Sequence, residues 1–70
     1  MAEPEWVPVT SSNIDAARYD PDSRTLTIRF NNGREYGYAG VPVEVAQALI
    51  HADSPGRFFN ENIKGNYRDT

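Results

Sequence analysis

The feature that most constrains this chain is the run in which Leu26, Ile28 and Phe30 alternate with Thr25, Thr27 and Arg29, followed at once by Asn31-Asn32-Gly33 and a second run carrying Tyr36 and Tyr38. A period of two puts one set of side chains on a buried face and the other in water, so the pattern predicts a β-hairpin over Arg24–Phe30 and Arg34–Ala39. Two turns fit the sequence between them. If Asn32-Gly33 is a two-residue loop, Tyr36 opposes Arg29 and Tyr38 opposes Thr27, on the polar face. If Asn31-Asn32-Gly33 is a three-residue loop with glycine in the bulge position, Tyr36 opposes Ile28 and Tyr38 opposes Leu26. The string favours the second, which sets rings against aliphatic side chains and suits a type I turn with a left-handed glycine after it.

Around this hairpin the rest falls into place as single elements. Ile14–Tyr19 reads as a strand, closed by the turn Asp20-Pro21-Asp22-Ser23. Val41-Pro42 opens a helix, with proline expected at its first position. Val41, Val45, Ala48, Leu49 and Ala52 lie on one side of it, broadened by Ala46 and Ile50, and Glu44, Gln47 and His51 form the polar stripe. Ser54-Pro55 repeats the start signal, and a second short helix sets Phe59, Ile63 and Tyr67 opposite Arg57, Glu61, Lys64 and Arg68, with Gly65 ending or loosening it. The expected fold class is α+β: an antiparallel meander of three to four strands followed by two short helices packed on one face. Its core is Ile14, Leu26, Ile28, Phe30, Val45, Leu49, Phe59 and Ile63.

With 70 residues, no cysteine and one histidine, stability has to come from packing, because a domain of this size buries only about 60% of its unfolded surface. Met1–Trp6 reads as a mobile lead-in before a single domain over 7–70. Met1–Pro8 carries Glu3 and Glu5 and no apolar run and resembles neither a signal nor a transit peptide, and nothing approaches the ~20 apolar residues of a membrane span. A cytoplasmic protein without a membrane partner is expected. The net charge of -3 and a pI near 4.9 oppose generic attraction to nucleic acid, so any such role needs a local basic patch.

Four strings together resemble the KTSC domain family: V-T-S-S-N-I at Val9–Ile14, G-x-x-Y-x-Y at Gly33–Tyr38, V-P at Val41-Pro42, and S-x-G-x-F-F-N-x-x-I-K at Ser54–Lys64. The resemblance spans Val7–Arg68. That family is named for a domain at the C-terminus of some lysyl-tRNA synthetases and includes small stand-alone proteins. It has no established activity, and attachment to a synthetase suggests RNA. The positions matching its recurrent pattern are Ser11, Ser12, Asn13, Tyr36, Tyr38, Ser54, Gly56, Phe59, Asn60, Ile63 and Lys64.

Each candidate residue has a functional and a structural reading. Tyr36 and Tyr38, two apart in a strand, share a face that would stack bases, or they pack as core beneath a helix. Arg57, Lys64 and Arg68 return to one helical face as a phosphate-contacting stripe, or pair with Glu61 as a solvated surface. Ser11-Ser12-Asn13 would form an anion- or peptide-binding loop, or satisfy a turn, with Asn13 the residue expected to bond local backbone. Ser54-Pro55-Gly56 would offer a helix start to phosphate, or act as a plain cap. Trp6 would anchor an interface or pack the N-terminal arm across the sheet. His51 lies on a polar stripe without a nucleophile or metal partners, so no enzyme and no cofactor is expected. The expected function is a binding domain for RNA or a nucleotide-like anion through Ser11, Ser12, Asn13, Tyr36, Tyr38, Arg57, Asn60, Lys64 and Arg68. The alternative is a protein–protein interaction module using the open face of the sheet.

Overall fold

The structure is a computed structural model. It describes residues 5–69, Arg68 and Asp69 by their backbone alone, so most of the lead-in expected over Met1–Trp6 lies outside the described residues. The elements follow one another as β1 (Val7–Pro8), β2 (Ile14–Asp20), β3 (Thr25–Phe30), β4 (Glu35–Ala39), α1 (Val43–His51), α2 (Pro55–Phe58) running into a π-helical turn (Phe59–Ile63), and β5 (Arg68–Asp69). The fold is the expected α+β meander with two helices. The strands form one antiparallel sheet in the order β1-β2-β3-β4-β5, in which the two-residue β1 and β5 extend the predicted hairpin and strand at either edge.

The hairpin register is that of the three-residue loop. Ile28 pairs with Tyr36 and Leu26 with Tyr38, the Gly33 N–H donates to the Phe30 carbonyl at 2.9 Å, and Gly33 sits at φ 88°, a conformation that costs any residue with a Cβ. Both tyrosines therefore point toward the helices. The other strand start differs by one residue, because Arg24 adopts φ 54° and belongs to the turn, so β3 begins at Thr25.

A β-bulge at Asp15 explains why Ile14–Tyr19 shows no clean alternation. Ile14 pairs with Phe30, yet Ala16 pairs with Arg29, so one extra residue in β2 inverts the facing of everything after it. Ile14, Ala17 and Tyr19 thereby reach the core side, while Ala16, only 6% exposed, lies outside the core cluster on the other face.

The core lies between the sheet and the helices. Ile14, Leu26, Ile28, Val41, Leu49 and Ile63 are its largest fully buried side chains, with Phe30 and Val45 of the expected core half-buried at its margin. Pro42 precedes α1 as its N-cap, and its carbonyl accepts the Val45 and Ala46 N–H groups. The helix thus starts one residue later than the proline signal suggests. It buries Ala46 and Leu49 and leaves Ala48 exposed, against the helical periodicity that places Ala48 on the apolar side. The Tyr19 hydroxyl donates to the Val41 carbonyl at 2.6 Å, fastening the approach to α1 onto β2. No helix among the described residues is long and apolar enough to cross a membrane.

Candidate functional site

Antiparallel alternation places the β1–β2 and β3–β4 connections at the same end of the sheet, and the second helix passes beside both. The loop and the turn are tied directly. Asn31 donates its side-chain amide to the Ser12 carbonyl at 2.6 Å and its backbone N–H to the Asn13 carbonyl at 2.9 Å. Ser11, rather than Asn13, caps the loop: its Oγ accepts the N–H groups of Asn13 (3.1 Å) and Ile14 (3.3 Å). Gly56 of α2 packs against this loop so closely that a Cβ there would stand 3.3 Å from Asn13 Nδ2. A larger residue in S-x-G would therefore need the Asn13 side chain to give by a few tenths of an ångström.

These contacts enclose an open groove of about 490 Å³, lined by Ser12 and Asn13 from the loop, Asn31, Asn32 and Arg34 from the hairpin turn, and Asn60 and Lys64 from the second helix. Its floor is aromatic. Phe30 meets Tyr36 edge-on at 5.7 Å and Phe59 at 5.5 Å, and Phe59 meets Tyr38 at 5.5 Å, a continuous run of T-shaped pairs. Phe30 and Tyr36 are half-buried, while Tyr38 is only 7% exposed. Tyr38 lies deeper than Tyr36, and both line an adjoining cleft of about 320 Å³ with Phe30, Phe59 and Lys64, so Tyr36 is the more open ring of the two.

Among the described residues the groove is lined by two cations and no carboxylate, in a chain with ten acidic and seven basic residues. Three arginines elsewhere are occupied. The guanidinium groups of Arg18 and Arg29 lie 4.7 and 4.1 Å from the Trp6 ring centroid, and Arg29 also pairs with Glu35 at 3.3 Å. Trp6 thus packs the arm across the sheet, on the face away from the helices. Arg57 is bound through Nε to Glu61 at 2.9 Å, and that hydrogen bond, then the charge of Glu61, raises its pKa above the ordinary arginine value. Among the described residues Arg34 and Lys64 take part in no ion pair, and the amides of Asn13 and Asn60 make no hydrogen bond.

The basic stripe on the second helix does not form as expected. The π-helical turn ends at Ile63 and Lys64 is already extended (φ -63°, ψ 122°), so Arg68 falls in β5, paired with Ala39. Arg57 lines a neighbouring cleft together with Ser11. Of the nine residues singled out in the sequence, the groove brings together Ser12, Asn13, Tyr36, Asn60 and Lys64, and it adds Phe30, Asn31, Asn32 and Arg34. Ser54 precedes α2 without a side-chain cap bond. His51 is exposed at the end of α1, and among the described residues no group of three or more histidine, cysteine or acidic side chains could hold a metal.

Comparison with known proteins agrees with this architecture. The KTSC domain model matches residues 10–67. The chain is 48% identical over 61 residues to a protein of Tsukamurella paurometabola, covering 87% of this chain and 91% of that one. It is 42% identical over 57 residues to a lysine–tRNA ligase of Nostoc, where the match covers 81% of this chain but only 10% of the ligase. The crystal structure of a KTSC domain protein from Yersinia pestis superposes with a TM-score of 0.91 at 41% identity, covering 97% and 96% of the two chains.

Proposed function

This chain belongs to the KTSC domain family, and on the geometry of its groove we propose that it is a non-catalytic module that binds single-stranded RNA or a nucleotide-like anion at the loop end of the sheet. The observation that carries the reading is the separation of charge: among the described residues the two cations of the groove, Arg34 and Lys64, are unpaired and face no carboxylate, beside the half-buried ring of Tyr36. Local positive charge of this kind attracts phosphate despite an acidic chain. An aromatic ring beside it offers a base a stacking surface, and open amides supply hydrogen bonds to base edges. The occurrence of a similar segment in lysine–tRNA ligases supports an RNA partner and a cytoplasmic setting.

Titration of a labelled short single-stranded RNA against the protein at several salt concentrations tests the reading. With two phosphates neutralised, log affinity should fall against log salt with a slope of about -1.4, and Arg34→Ala or Lys64→Ala should each remove about 0.7 of it. Arg24→Ala, at the opposite end of the sheet, should leave binding as it is. Binding that ignores salt and both groove substitutions would sink the proposal and favour a protein partner.

A further inference from the structure

Beside the groove lies a second cleft of about 420 Å³, and the two share Ser12, Asn13 and Gly56 as a common wall. Its chemistry is different. It presents the hydroxyls of Thr10, Ser12 and Ser54 beside that of Ser11, whose oxygen already accepts two backbone N–H groups, with one carboxylate, Asp53, and one guanidinium, Arg57. The charges balance, and Arg57 is already engaged by Glu61, so this cleft has little to attract a phosphate.

What it has is hydroxyl donors and acceptors around an exposed carboxylate that, among the described residues, makes no ion pair or hydrogen bond. Such a set matches a sugar. Each ribose hydroxyl both donates and accepts, a carboxylate is a strong acceptor for one, and serine and threonine hydroxyls rotate to serve either role. Resting on the reading of the groove as the base and phosphate site, we infer that the second cleft is a ribose subsite, in which Asp53 accepts the 2′-hydroxyl of the nucleotide adjoining the one in the groove. The module is thereby selective for RNA over DNA, since the 2′-hydroxyl is the group that distinguishes them.

The test compares oligoadenylate with oligodeoxyadenylate of equal length, bound to the full chain and to Asp53→Asn. The readout is the RNA-to-DNA affinity ratio, because losing a carboxylate also relaxes repulsion of nearby phosphates. The expected result is RNA bound about tenfold more tightly, the scale of one charge-assisted hydrogen bond, with the ratio falling toward one in Asp53→Asn. Asp53 is exposed, and dispersed amide spectra verify that the variant folds. Equal binding of RNA and DNA overturns the ribose subsite while leaving the groove proposal standing, as does a ratio that Asp53→Asn does not change. If neither polymer binds, both readings fall.

Discussion

The two faces of the sheet are held by different physics. The covered face buries Leu26, Ile28 and Ile14 completely under the helices, with Leu49 and Ile63 against them, and its stabilisation scales with apolar area removed from water. No helix among the described residues covers the other face. There the ring of Trp6 lies within reach of the guanidinium groups of Arg18 and Arg29, and Arg29 reaches Glu35 and, at 3.9 Å, Asp15. Using arginine to cover a sheet face has a consequence for binding: Arg18 and Arg29 are occupied there, whereas Arg34 and Lys64 at the groove take part in no ion pair among the described residues.

Three substitutions sharpen this contrast. Leu49→Ala should cost about 2–5 kcal/mol, enough in a domain this small to bring urea unfolding close to zero denaturant. A loss well below that range would mean that the helices contribute little to the covered face. Trp6→Ala should cost about 1–2 kcal/mol, from two cation–π contacts and the cover lost over the sheet, followed by circular dichroism because the reporter tryptophan is gone. A double-mutant cycle with Arg29→Ala should return a coupling of about 0.5–1 kcal/mol, and zero coupling would show that the ring sits on the sheet without help from the guanidinium. Glu61→Gln, which removes the partner of the fully exposed Arg57, should leave the urea midpoint within scatter. The raised Arg57 pKa contributes stability that is complete below the ordinary arginine range and lost only above it, so the neutral range should show no pH dependence from this pair.

What was legible in the sequence is what local chemistry decides. Asn31-Asn32-Gly33 specifies its own loop length, and with it the facing of Tyr36 and Tyr38, because the glycine conformation and the strand pairing are set within a few residues. The bulge at Asp15 was not legible, since nothing in Ile14–Tyr19 marks an extra residue apart from the failure to alternate. Arg68 was misplaced for a related reason. A helical stripe assumes that the helix continues, whereas the turn at Lys64 and the pairing with Ala39 depend on a strand far away in sequence. The groove is legible only in pieces. Ser12, Asn13, Asn60 and Lys64 stood out as candidates, but Arg34 joins them through the Asn31–Ser12 hydrogen bond and the close approach of Gly56, and neither can be read from spacing.

The strict order of the sheet also governs how such a unit is carried within a longer polypeptide. β1 and β5 run in the same direction on opposite edges, β1 beginning beside Ala17 and β5 ending its described pairing beside Tyr38. Sequence joined ahead of β1 and sequence joined behind β5 are thereby kept on opposite edges, with β2, β3 and β4 between them.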